Sequence, residues 1–415
     1  MLLEQDIIPQ FHGVAVRRMH RGCTLVFLIL TVACQPSNRQ HDAANVANAT
    51  ELVAEEELRI GSVNDPDVGF SRIGGVAVDA EGLIHVLESE DRQIRVYDDQ
   101  GRHIRSIGRH GAGPGEFRSV TLIGLLHDTL AVGDPSLGRI TFFMRTGELL
   151  ETFPMPPVWL QPAPGVMLMV EPVRFKQDGF ATSVTKLMMQ AEPPSDSFSV
   201  PQVVLDRKGR ITDTLRLERW GLSEPRIRVG NVDIRLPSAP PATLLYIDGQ
   251  EDTYVVDRPV AALADQAAFT VARMAAAGDT VYHEEIRYRP ATFSAAVVDS
   301  IVARAVRPHL RTQKADSGAI AVGIRQALSL PPYQPPVTQG RVGADGVLWL
   351  RLHDDGTDQH RWVLIGPDGR LQGAVSLPRR VTIHWSSGER VWAAVRDEFD
   401  VPWLVRYHLR AVNES

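Results

Sequence analysis

The stretch from Ile73 to Phe117, IGGVAVDAEGLIHVLESEDRQIRVYDDQGRHIRSIGRHGAGPGEF, contains the fold in miniature. Four short β-rich runs, Gly75 to Val78, Leu83 to Leu87, Gln93 to Tyr97 and His103 to Ile107, are punctuated by Asp79-Ala80-Glu81-Gly82 and Asp98-Asp99-Gln100-Gly101. Runs this short and this rich in β-branched residues fit strands, and a Gly closing each turn supplies the positive φ that a tight hairpin needs. Four antiparallel strands in about 40 residues make one blade of a β-propeller.

The rhythm repeats at Thr121 to Leu125, Leu130 to Val132, Arg139 to Phe143 and Leu149 to Phe153, and a third set runs from Pro172 to Leu215. It returns near the C-terminus as GRVGADGVLWLRL, HRWVLIGPDGRLQGAVSLP, VTIHWSSGERVWAAV and WLVRYHL. Between these, Thr253 to Val256, Phe269 to Met274 and Thr280 to Arg287 furnish a further blade, which brings the expected total to six. The last set lacks a fourth strand, and Glu57-Leu58-Arg59-Ile60-Gly61 stands alone before the first repeat. Pairing the two closes the ring and leaves no long open edge. The expected fold is all-β, a six-bladed propeller of four-stranded antiparallel blades over residues 57–412.

One segment leaves the β pattern. Val297, Val298, Ile301, Val302, Ala305 and Val306 follow helical spacing between Ser294 and Leu310, and Asp316 and Ser317 can cap a second helix through Ile320, Ile324 and Leu328. This is a helical insertion at about 294–330, expected as a lid over one mouth of the channel or as filling between blades.

The run Ile107-Gly108-Arg109-His110-Gly111-Ala112-Gly113-Pro114-Gly115-Glu116-Phe117, set between G-V-A-V-D-x-x-G-x-I-x-V and the next blade, resembles NHL-repeat propellers. It is most similar to the six-bladed propeller lipoproteins of bacteria. The resemblance implies a six-bladed ring. Some such propellers are peptide-amidating lyases, and lactonase-type propellers hold a metal in the central channel, whereas many others bind proteins, glycans or RNA. None of the enzymes' catalytic motifs lies on this sequence, so no active site is carried over. The second repeat also departs from the first, with Gly124 and Leu125 in place of Ala77 and Val78 and no Asp after them.

With 44 Lys and Arg against 50 Asp and Glu, the net charge of −6 argues against nucleic acid as a partner. Arg17, Arg18, His20 and Arg21 precede the apolar run Cys23 to Ala33, which is too short to span a membrane and reads as a secretory signal over residues 1–33, with Met19 a more typical start. Leu30-Thr31-Val32-Ala33-Cys34 resembles the lipobox of bacterial lipoproteins, with Thr31 in place of the usual Leu. The resemblance implies lipidation of Cys34 and a lipid bilayer as partner, and the polar, Ala/Asn-rich stretch without clear periodicity reads as a flexible tether over 34–56. The expected product is a monomer, exported and anchored to a bacterial envelope membrane on the periplasmic side or the cell surface.

Candidate chemistry is sparse. His353, Asp354, Asp355, Asp358 and His360 crowd one turn between strands; a solvated hairpin tip explains them better than calcium, because the alternating Asp order of an EF-hand is missing. Gly111, Gly113 and Gly115 precede a strand and not a helix, so they make a crossover and not a phosphate cradle. Arg216, Arg219, Trp220, Arg226 and Arg228 form a basic-aromatic group, read first as a loop with Arg stems laid over Trp and otherwise as suited to an anionic or glycan ligand. The leading expectation is a non-catalytic binding module for a protein, peptide or glycan, with no cofactor. The alternative is a metal-dependent lyase or hydrolase that holds calcium or zinc in the central channel.

Overall fold

The computed structural model describes residues 44–412, leaving out 66–67, 127–128, 156–157, 164–165, 177–178, 190–196, 207, 222–225, 231, 237–242, 248–251, 277 and 311–315, and some side chains, mostly between 158 and 247. Blade 1 comprises Ile73–Val78, Ile84–Glu88, Gln93–Tyr97 and His103–Ile107; blade 2 comprises Leu122–Leu126, Thr129–Asp134, Arg139–Met144 and Leu149–Pro154. Blade 4 is Thr243–Ile247, Thr253–Asp257, Ala268–Met274 and Thr280–Arg287, and blade 5 is Val337–Val342, Leu348–Leu352, Gln359–Ile365 and Leu371–Pro378. Blade 6 takes Val381–Ser387, Arg390–Arg396 and Pro402–Ala411 from the C-terminus and Glu51–Ile60 from the N-terminal side.

Blade 3 departs from the four-stranded expectation. It has five strands, Val158–Ala163, Val166–Lys176, Gly179–Met189, Ser197–Asp206 and Ile211–Gly221. The central hairpin is long enough that Val166 to Val170 takes on an extra partner, Val158 to Ala163, beyond the body of the blade.

The strands stack because they are apolar on both faces. In blade 1, Val86 packs with Trp392 and Leu404 of blade 6, and its neighbour Leu87 packs with Leu130 and Val132 of blade 2. Ala131, between those two, faces Val170 and Phe180 of blade 3. In blade 5, Leu348 and Leu350 meet Tyr254 and Val256 of blade 4, while Trp349 faces Ile383 and Val391 of blade 6. Successive side chains therefore serve successive interfaces, which is the period of two applied to a ring. Each fully buried Leu or Val contributes about 1.5–3 kcal/mol.

Polar residues hold the turns and the links between blades. Asp79 accepts from the N–H groups of Glu81 and Leu83, and Asp98 and Asp206 repeat the arrangement two and four residues ahead. Gly82, Gly101 and Gly209 then sit at φ 83°, 79° and 76°. Asp397 makes the same turn with Asp400 in the left-handed position at φ 64°. Two buried carboxylates grip the chain as it enters a blade. Glu88 accepts from the N–H groups of Ser71 and Arg72, and Asp134 from those of Arg118, Ser119 and Leu137.

The N-terminal segment is a strap. Ala44 and Asn45 pair in parallel with the outer strand of blade 4, Glu51 and Leu52 pair in parallel with that of blade 5, and Leu52 to Ile60 runs antiparallel to Pro402–Ala411. Ring closure thus includes the orphan strand at Glu57 to Gly61, but residues 44–56, expected as tether, already belong to the fold. Their charge misleads: Glu51, Glu55 and Glu57 reach Arg361, Arg410 and Arg406, so the polar side of an outermost strand reads like a linker.

Two insertions share a small core of their own. The helical hairpin, α1 (Ala295–Leu310) and α2 (Ser317–Ala327), leaves the ring between blades 4 and 5. A β-hairpin, Arg226–Val229 and Val232–Arg235, leaves it between blades 3 and 4. Val302, Val306, Ile320 and Ile324 pack with Ile234 and Leu236, and Gly323 lies where a β-carbon would come within 2.7 Å of Val229.

Candidate functional site

Beneath α1 lies a cavity of about 820 Å³ bounded by both insertions and by blades 4 and 5. Its roof is the apolar side of α1, where Val297, Ile301 and Ala305 face inward, and its floor is Thr338, Arg351 and Leu352 of blade 5. Gln334, buried at the hinge, fixes the base: its amide donates to the carbonyls of Thr292 and Asp354, and its own N–H donates to Ala291. One side chain thus joins the way into the insertion, the way out of it and the turn of blade 5. Arg258, also buried, donates to the carbonyl of Val337 and closes the blade 4 side.

The cavity's charges are unbalanced. Among the described residues its two acids are already engaged, Asp354 with Arg379 and Asp233 with Arg228 at 3.4 Å. Arg351 comes from an otherwise apolar strand, Leu-Trp-Leu-Arg-Leu, and gives its Nε–H to the Thr338 hydroxyl at 2.8 Å. The terminal nitrogens of Arg351 make no ion pair among the described residues. Burial holds its pKa below the ordinary arginine value; Asp354 opposes this, while the nearby guanidiniums of Arg379 and Arg304 add to it. Arg304, on α1, likewise makes no ion pair among the described residues, and it faces the cavity. Burial and the Arg351 and Arg379 charges also push the His360 imidazole below its usual pKa. Arg351, Arg304 and Arg379 thus act on one another beside a chamber whose lining mixes apolar and polar side chains, where each charge acts more strongly than in open water.

The residues singled out from the sequence fall in several places. His353, Asp355, Asp358 and His360 lie in or beside the turn that links Leu348–Leu352 to Gln359–Ile365. Asp355 caps the turn through Thr357, Asp354 is taken by Arg379, and His360 lines the cavity. Among the described residues, no three His, Cys, Asp or Glu side chains come together to hold a metal ion. Arg216, Arg219 and Trp220 lie on the last strand of blade 3, opposite Gln202, Ser199 and Phe198, whereas Arg226 and Arg228 belong to the separate β-hairpin. Of these five, only the Arg228 side chain is described; it is exposed and paired with Asp233. Cys34, the signal segment and the tether before residue 44 lie outside the described residues.

Sequence reasoning passed over Arg351, Thr338 and Arg304. The available signal was Arg351 itself, a charge in a second strand whose other residues are all apolar. Blades 1, 2 and 4 instead end that strand with Glu88, Asp134 and Asp257. In blade 5, Leu352 and not Glu88 or Asp257 is the partner of the first-strand residue, so the carboxylate grip is absent at the blade that floors the cavity.

One family model agrees with the architecture. The model of DUF5128, described as a 6-bladed beta-propeller, matches residues 66–135, which span blade 1 and the start of blade 2. No curated protein matches the chain. Among solved structures, a member of the DUF4221 family from Bacteroides vulgatus is 8% identical, with a TM-score of 0.45 over 88% of this chain and 100% of that one. A candidate exported protein of Bacteroides fragilis is 12% identical, with a TM-score of 0.43 over 87% and 95%. A catalytically inactive virginiamycin B lyase of Staphylococcus aureus, solved with quinupristin, is 10% identical, with a TM-score of 0.36 over 85% and 99%. The chain is a mainly β, six-bladed propeller carrying a helical insertion.

Proposed function

We propose that this protein is a ligand-binding propeller of the bacterial envelope, a lipoprotein of the NHL-like kind exported by its N-terminal signal and anchored through Cys34. Its ligand occupies the cavity between the helical hairpin and blades 4 and 5. Export and anchoring rest on the charged and apolar N-terminal run and on the lipobox-like sequence before Cys34. One observation carries the binding site: Arg351, half-buried, is positioned by Thr338 and has no carboxylate partner among the described residues where it lines a chamber of about 820 Å³. A chamber of that volume suits a small organic molecule or the end of a peptide. A glycan is disfavoured, because among the described residues Phe293 is the one aromatic ring in the lining other than His309 and His360, and sugar recognition relies on flat aromatic platforms.

The test uses the full chain and a variant with the chamber filled. Ser300 is exposed on α1 and lines the cavity, so Ser300→Trp places an indole there at little cost to the fold. Small organic acids, short peptides and oligosaccharides are screened by thermal shift against both proteins. Hits are expected to stabilise the wild type and to leave Ser300→Trp unmoved. If the hits stabilise the two proteins equally, the ligand binds elsewhere and the site is wrong.

A further inference from the structure

Resting on that assignment of the cavity, we propose that its ligand is an amphiphilic carboxylate, an unbranched or peptide-like apolar chain ending in a single carboxylate that Arg351 receives. The argument begins with the valences of the guanidinium. Nε is committed to Thr338 at 2.8 Å, and the Thr338 hydroxyl in turn donates to the carbonyl of Leu352 at 3.1 Å. The plane of the guanidinium is therefore fixed by the strand beneath it. The two terminal nitrogens, with no acidic partner among the described residues, form a fork that matches the two oxygens of a carboxylate.

Burial makes such a fork costly unless an anion completes it. The acids nearby do not serve, because Asp354 is tied to Arg379 and accepts from the N–H of Gly356. Arg304 adds a second cation from the roof, so the preferred headgroup is an anion and a cationic headgroup is repelled.

The rest of the chamber selects the tail. Ser300, Ser329 and His309 interrupt the lining, but the surface of Val260, Val297, Ile301, Pro308, Leu330 and Pro331 offers no side-chain hydrogen bond. A polar tail loses its water there without replacement, whereas each buried methylene gains about 0.8 kcal/mol. The helical hairpin that supplies Val297, Ile301 and Pro308 is held through its own core with the β-hairpin, so the chamber is preformed.

Calorimetric titration of the full chain with decanoate, decylammonium and acetate separates the parts of the claim. Decanoate is expected to bind, acetate to bind too weakly to measure, and decylammonium not to bind. Arg351→Met retains the apolar stem and is expected to weaken decanoate by about ten-fold or more, the loss of one charge-assisted pair. Arg304→Gln, which removes the cation of the roof from a helix outside the ring, is expected to weaken it by a smaller factor. An unchanged urea midpoint in each variant separates lost recognition from lost folding. Equal affinity for decanoate and decylammonium, or an unaltered Arg351→Met, overturns the carboxylate assignment and leaves the cavity standing. Absence of decanoate binding overturns the amphiphile while any screened hit blocked by Ser300→Trp still upholds the site. Decanoate binding that survives Ser300→Trp overturns both.

Discussion

Asp134 shows how much a single buried residue carries in a ring of repeated sheets. Its carboxylate, with no solvent exposure, satisfies the N–H groups of Arg118, Ser119 and Leu137, two on the chain entering blade 2 and one in the turn after its second strand. Asp134→Ala leaves three part-buried donors without this acceptor, and we expect a loss of about 2 kcal/mol in urea unfolding. Asp134→Asn keeps one acceptor oxygen and is expected to lose less. If the alanine variant is as stable as the wild type, the inter-blade links are held by packing alone. This residue was unremarkable in the sequence, because an Asp before a Pro reads as a turn and nothing local tells which way its oxygens point.

Among the elements, the strap makes the clearest demand. Its pairing with blade 4 covers two residues and its pairing with blade 6 covers most of Leu52 to Ile60. Truncation through Thr50 is therefore expected to lower the melting temperature slightly, truncation through Ala54 by an intermediate amount, and truncation through Gly61 by the most. The last change also leaves the edge of Pro402–Ala411 unpaired, so self-association in size-exclusion chromatography should accompany it. Equal melting temperatures for the three truncations would mean that the ring does not depend on the strap. Blades 1, 2, 5 and 6 were legible because Asp and Gly punctuate their turns, and the two helices because their apolar spacing is helical. Thr243–Ile247 of blade 4 was not, being a short run among prolines, and blade 3 was not, because its strands outrun the usual length and acquire a fifth neighbour. The cavity was illegible for a different reason. Its walls come from five separate segments, and only the fold brings Arg304 to the side of Arg351.

For the molecule as a whole, the sharpest handle is acidity. His384 lies on the innermost strand of blade 6, where burial and the charge of Arg341 lower its pKa from 6.5 to about 4. The unfolded chain takes up this proton as pH falls below 6.5, and the folded chain does not until about 4. Stability from this residue is thus complete above pH 6.5 and declines through that window, by at most about 3 kcal/mol. Urea midpoints across pH 4–7 should fall more steeply in the wild type than in His384→Gln, and parallel curves would show that His384 protonates freely in the ring. The strap has a further consequence, in time and not in space. Glu57 meets Arg406 across 349 positions of sequence, so the final blade cannot be completed until nearly the whole chain has emerged. Until then Glu51–Ile60 waits as an unclaimed edge, and the carboxylates of Glu51, Glu55 and Glu57 repel like-charged neighbours and keep it in water. Folding of this ring is accordingly slow and ends with a clasp, and the acidic strand chaperones itself while it waits.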